Sequence, residues 1–259
     1  MNHTSISDLK AKAKDQLLGN YGIATGSFAL LFVLVYALIS ILIGALVASI
    51  TPAAVAATGR SVPNQIKSYA ISTVIAILSA VLTVGHLYIL KQISEGRSPV
   101  MSDLFFAIRN HPDKVIIIAL TLILAQIILC LPATLVGGSL ASGQNLDFEG
   151  KTFLLYIVLY LAGMIASFYI DLMLAMSYMI YLDDPQKRVT EIIRQSISMM
   201  KGNKFRYFYM ILSFLGYWAL ILLSIGIAAL WVIPYQNMTV VQFYTDLRDN
   251  SNYAEVEEL

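Results

Sequence analysis

Five long apolar stretches constrain this chain more than any other feature. Ile23–Ile50, Ser68–Leu90, Val115–Val136, Phe153–Tyr181 and Tyr207–Ile233 contain no Lys, no Arg and a single acid, Asp171. A helix of about 20 apolar residues crosses the hydrocarbon layer, which is roughly 30 Å thick. Backbone polar groups in lipid must bond within the chain, so the choice lies between helices and a closed barrel. Barrel strands would alternate polar and apolar residues, and these stretches do not. The expected fold is all-α, a single polytopic transmembrane domain over 1–259. It should have about five membrane helices, or six if the long fourth or fifth span is broken.

The rest of the composition agrees. Hydrophobic residues make up 58% and charged residues 13%, against about 25% charged in a soluble domain. A net charge of +1 gives no basic field for a polyanion, so a nucleic-acid partner is not expected. The one cysteine, Cys130, permits neither an internal disulfide nor a cysteine zinc site. The first apolar run exceeds the roughly 7–15 residues of a signal-peptide core and reads as an uncleaved first helix.

Basic residues orient the spans. With the N-terminus inside, thirteen Lys and Arg fall in inner segments and four, Arg60, Lys67, Lys151 and Arg248, fall outside. The positive-inside rule therefore predicts a cytoplasmic N-terminus. Five crossings would leave 236–259 as an acidic tail on the far side.

Each odd-numbered span follows an amphipathic stretch. Within 1–22, Ile6, Leu9, Ala13 and Leu17 share one face. Within 98–110, Met101, Leu104, Phe105 and Ile108 do so. Within 185–201, Val189, Ile192, Ile193, Ile197 and Met200 recur at helical spacing, with Asp184-Pro185 as a helix start. An apolar face beside basic residues suits an interfacial helix on anionic lipid, or a helix packed on the span ends. Lys187, Arg188, Arg194, Lys201, Lys204 and Arg206 are the candidate membrane-surface contacts. Polar breaks follow the three stretches at Gly19-Asn20, Asn110 and Gly202-Asn203, and the asparagines are 90 and 93 residues apart. This suggests an internal repeat of surface helix, span out and span back, with the third copy lacking its return.

Asp171 is the first candidate for chemistry, because an ionisable group within a membrane span marks a functional site by default. Gly163, Ser167, Asp171 and Ala175 lie four apart and form a small, polar stripe, with Tyr178 near the same side. His86 and Gln126 are its candidate partners. The reading is a proton, cation or ligand site, against a hydrogen-bonded helix contact. The sequence contains no Walker loop, nucleophile elbow, dinucleotide fingerprint or zinc-protease motif, so no cofactor or metal is expected.

Asp8-Leu9-Lys10-Ala11-Lys12-Ala13-Lys14 runs on to Leu17-Leu18-Gly19-Asn20-Tyr21. Later come Ser196-Ile197-Ser198-Met199-Met200-Lys201-Gly202-Asn203-Lys204 and Ser213-Phe214-Leu215-Gly216-Tyr217-Trp218. Trp231-Val232-Ile233-Pro234-Tyr235 closes the series. In order and spacing these pieces resemble the bacterial integral-membrane family called domain of unknown function nine-seven-five. The resemblance implies a multi-helix plasma-membrane protein and brings no reaction, substrate or catalytic residue. Two functions compete on this reading. One is a non-enzymatic scaffold or accessory subunit in export, envelope assembly or peptide resistance, with a membrane-protein partner or a second copy. The other is a small transporter or lipid-handling protein built around Asp171.

Overall fold

The computed structural model describes the backbone of residues 4–49, 62–141 and 150–257, and side chains over 4–40, 70–138 and 150–250. The distal loops expected at 51–67 and 137–152 fall largely outside the described residues. All regular structure among the described residues is helical. Helix α1 is Ile6–Leu17, α2 Tyr21–Ser49 and α3 Val62–Ser94. A 3₁₀ turn at Met101–Phe105 leads into α4, Phe106–Arg109. Then come α5 Pro112–Ala141, α6 Gly150–Leu174, α7 Ser177–Asp183 and α8 Val189–Met200. The chain ends with α9 Lys204–Leu212, α10 Leu215–Leu223 and α11 Ala229–Glu257. Five stretches are long and apolar enough to cross a membrane: Tyr21–Ser40, Ala70–Ser94, Pro112–Gly138, Gly150–Asp183 and Lys204–Leu223.

The core lies at one end of the bundle. Leu9, Leu17, Ile89, Leu90, Leu104, Tyr181, Ile192, Met200, Phe243 and Tyr244 are all buried there in one apolar cluster. This basic end collects the short helices and the last turns of the long ones. At the opposite end, the distal end, long-helix residues such as Leu135, Phe153 and Leu154 are exposed. Close backbone approaches fix the packing. A Cβ on Gly85 would fall 1.7 Å from the Leu104 carbonyl oxygen, so the 3₁₀ turn rests directly on α3. A Cβ on Gly163 would come within 2.9 Å of the Leu129 oxygen, where α6 crosses α5. The small-residue stripe does face a neighbouring helix at this position.

The three asparagine breaks are built alike. The side-chain amides of Asn20, Asn110 and Asn203 donate to the carbonyls of Gln16, Phe106 and Met199, each four residues back, at 3.2, 3.1 and 3.1 Å. The Asn20 and Asn203 amides thereby close carbonyls that the end of the preceding helix leaves open, and the Phe106 carbonyl accepts from both the side chain and the backbone amide of Asn110. The carbonyls of Asn20 and Asn203 in turn accept from the amides of Ala24 and Tyr207, which open the next helix. Gly19 and Gly202 precede them at φ +86° and +85°, the left-handed conformation that commonly ends a helix.

The third unit differs from the sequence expectation. Tyr207–Ile233 is not one continuous helix. The chain turns back over residues 224–228, and α11 returns along α9 and α10. Tyr217 and Phe214 both meet the ring of Tyr235, at 5.7 and 5.3 Å, and Tyr207 meets Phe243 at 5.3 Å. The third unit therefore has its return helix. Residues 236–257 are not a far-side tail; they belong to an arm that packs on α1, α2 and α3. A turn rich in small and apolar residues, Ser224-Ile225-Gly226, hides this reversal from a hydropathy reading.

Two shorter corrections concern the surface helices. The stretch 98–110 is a 3₁₀ turn plus one helical turn, not a continuous amphipathic helix, because it must lie flat against Gly85. The third surface helix starts at Val189, not at Pro185. Asp184 instead accepts from the Gln186 amide at 3.0 Å, which holds a turn ahead of the helix.

Candidate functional site: a charged node at the basic end

The three return units converge at the basic end. Lys91 lies in the last turn of α3, Asp183 ends α7, and Tyr244 and Arg248 lie on α11. The Lys91 ammonium pairs with Asp183 and donates to the Leu182 carbonyl at 2.9 Å. Its side chain is 11% exposed, so water replaces little of what Asp183 supplies. The Tyr244 hydroxyl donates to Asp183 Oδ2, and Arg248 Nη1 approaches the same oxygen at 3.3 Å. Burial alone would lower the Arg248 pKa, but Asp183 and Asp249 outweigh it and hold the guanidinium above its ordinary value.

A second charge pair ties the two chain ends together. Asp246 pairs with Arg206 at 2.7 Å and accepts from the Thr4 amide at 3.1 Å. Arg206 also donates to the Thr4 carbonyl at 2.6 Å. Burial would raise the Asp246 pKa, but the bonds from Thr4 and Arg206 outweigh it and hold the carboxyl below its usual range. Lys10 crosses from α1 to the Ser213 carbonyl at 3.1 Å, with its ammonium 4.3 Å from the Phe214 ring centre. Thr4 and α1 therefore meet α9 and α11 at the basic end.

Two clefts flank the node. One is lined by Lys12, Gln16, Gln242 and Thr245, the other by Tyr88, Gln92, Arg97 and Pro185, and both share Lys91, Glu95 and Arg248. The second is an open groove of about 520 Å³. Their walls carry both signs of charge. Chemically the arrangement is a lock: its lysine and aspartate are already committed to each other. No group of three or more His, Cys, Asp or Glu able to hold a metal occurs among the described residues.

The structure does not gather the five candidate polar residues into one site, and none of them lines either cleft. His86 is fully buried, with Nδ1 2.9 Å from Ser27 Oγ and Nε2 without a hydrogen-bond partner. Ser27 Oγ also lies 3.0 Å from the Ala24 carbonyl oxygen, so the hydroxyl bridges α2 and the imidazole. Gln126 is exposed on α5, and Ser167 Oγ is buried without a partner. Tyr178 packs at the edge of the core. Asp171 is exposed and makes no hydrogen bond or ion pair among the described residues. Its neighbour Tyr169 accepts from Lys204 Nζ at 2.6 Å, with the ammonium 4.1 Å from the ring centre. Asp171 is therefore level with the charged start of α9, not midway along the span. From Gly150 to Asp171 an α-helix rises about 30 Å, which already matches the hydrocarbon thickness.

Of the surface cations, Arg188, Arg194 and Lys201 are exposed. Lys187 donates to Gln195 at 2.8 Å. Arg206 is a correction: its side chain is 16% exposed and engaged with Asp246, so it serves the fold and not a surface. Lys91, Asp183, Tyr244, Arg248 and Asp246 escaped the sequence reading because charges flanking apolar runs look like boundary markers. Their only common signal is their place at the ends of apolar runs.

The fold thus defines an all-helical, multi-pass membrane protein whose polar groups tie helix ends together. A family model for a protein of unknown function, DUF975, matches residues 1–251, and the chain belongs to that family. No curated protein and no solved structure matches the chain.

Proposed function

We propose that this is a bacterial plasma-membrane protein acting as a scaffold or accessory subunit, without a reaction of its own, in export, envelope assembly or peptide resistance. One observation carries the reading. The charged node and the Arg206–Asp246 pair at the basic end are spent on closing the bundle, whereas α5 and α6 present a broad apolar wall that includes Ile128, Leu131, Leu135, Leu161 and Ile165. Such a wall suits lateral association with another membrane protein or a second copy. The same charge argument supports a cytoplasmic N-terminus: with Arg248 at the basic end, only Arg60, Lys67 and Lys151 remain on the other side. Exposed Arg188, Arg194 and Lys201 then face anionic lipid of the inner leaflet.

The test is a photo-crosslinking residue placed at Ile128 or Ile165, followed by extraction into nanodiscs and mass spectrometry. The expected product is a stoichiometric adduct with one membrane protein or with a second copy. Adducts with lipid alone would overturn the reading. The transporter or lipid-handling reading retains one support, an Asp171 without a hydrogen bond or ion pair. It requires that Asp171→Asn alter the flux of a solute or lipid in proteoliposomes.

A further inference from the structure

Residues 207–245 contain no Lys, Arg, His, Asp or Glu. As one straight helix these residues would extend nearly twice the hydrocarbon thickness. They fold in half instead, and the charges flanking them, Arg206 and Asp246, pair with each other at the open end. The closed end is apolar and bare. Leu222, Leu223, Ile225 and Ile227 are exposed there, Ile225 to 94%. A turn emerging into water or among headgroups would ordinarily carry polar side chains.

The backbone amides of the turn all find partners within the hairpin. The Gly226 amide donates to the Ile221 carbonyl at 2.8 Å and the Ile225 amide to the Leu222 carbonyl at 3.2 Å. This is the paired closure that ends a helix without water. The Ser224 hydroxyl oxygen accepts from the Ala228 amide at 2.9 Å and donates to the Ile221 carbonyl at 3.1 Å. Gly226 sits at φ +88°, and Ile225 is held at φ +53°, which is unfavourable for a β-branched residue. A side chain that accepts this strain while remaining exposed to 94% gains nothing from water; burial in hydrocarbon compensates it. Lower on the hairpin, the Trp218 indole nitrogen donates to Gln236 Oε1 at 2.9 Å, so that polar pair is also closed.

We propose that 204–248 is a re-entrant hairpin whose tip, 222–227, inserts into bilayer hydrocarbon and ends there, while both arms begin at the basic end. Its occupant is the lipid acyl phase: the patch carries no charged side chain, and its one polar side chain, Ser224, is already bonded within the turn. The chain then has four full crossings and one inserted hairpin, and its two ends share one side of the membrane.

The experiment uses the full chain with Cys130→Ala and Ile225→Cys, labelled with an environment-sensitive fluorophore and reconstituted into phosphatidylcholine–phosphatidylglycerol vesicles. Fluorescence should be quenched severalfold by nitroxide on lipid acyl chains and remain unchanged by aqueous iodide on either side. Quenching by iodide would place the tip in water and overturn the proposal. Protection from both quenchers would place it inside a protein contact and also overturn it. In a second measurement, cysteines at Thr4 and Asp249 should react with an impermeant maleimide from the same side of sealed vesicles. Reaction from opposite sides would sink the hairpin itself. Ile225 is exposed and Asp249 lies at the surface, so neither substitution removes a packed side chain.

Discussion

Ile192 on α8 and Ile165 on α6 carry the same side chain on helices that touch, yet the first is 0% exposed and the second 70%. The two positions stand for two parts of the molecule, the packed basic end and the apolar wall of the long helices. The basic end is built like a soluble core, with short helices, buried aromatics and charge pairs. The distal end is a set of long helices whose apolar sides meet no other part of the chain. The difference shows that one hydrophobic residue does two jobs here. At the basic end it packs against the chain itself, and on the long helices it faces the apolar phase or a membrane partner.

The sharpest way to break that contrast is at Gly85. Gly85→Val should cost about 4 kcal/mol or more, because its side chain would overlap the Leu104 carbonyl. The check is loss of the folded species in detergent size-exclusion profiles. Next is Asp183→Ala, which strands a nearly buried Lys91. Loss of one partner from such a pair costs about 3–5 kcal/mol, read from the thermal unfolding midpoint in nanodiscs. Rescue by the double variant with Lys91→Met would show that the charge, not the shape, is responsible.

The direct comparison comes third. Ile192→Ala should destabilise by about 2–4 kcal/mol, and Ile165→Ala by under about 0.5 kcal/mol, since only the first leaves a cavity. Equal effects would erase the distinction between the two parts.

Acid gives a smaller, graded effect. The folded Asp246 carboxyl titrates below its ordinary range, and the unfolded value is about 3.9. Its contribution is therefore complete above that value and is lost as pH falls through the lowered folded one. Stability from this clasp should be flat from about pH 5 upward and decline below about pH 4, and Asp246→Asn should flatten that acid limb. The smallest effect is expected at the surface. Arg188→Gln and Arg194→Gln should each weaken phosphatidylglycerol retention by about 1 kcal/mol, read by native mass spectrometry.

Much of the fold was legible because lipid imposes a crude rule. A run such as Val115–Val136 without a charge has to become a helix, whatever its neighbours do. The surface helices were legible for a related reason, since Leu9, Ala13 and Leu17 repeat at helical spacing and are the buried face of α1. The repeat was also visible in Asn20, Asn110 and Asn203, although its third return helix was not. The candidate site was much less legible. Asp171 drew notice because it interrupts an apolar run, yet it lies level with the charged start of α9. Asp183 drew none, because beside Asp184 and Pro185 it resembles any loop acid.

The sequence alone determined that this chain is helical, enters a membrane and carries its charges at the ends of its apolar runs, because each of these follows from local composition and period. Only the tertiary structure decided that the last apolar run folds back on itself and that Lys91, Asp183, Tyr244 and Arg248 share one node. Those outcomes depend on which helix ends meet. An ion pair between residues 91 and 183 has no local signature, and a turn closed by one serine and one glycine within an apolar run carries no charge to announce it.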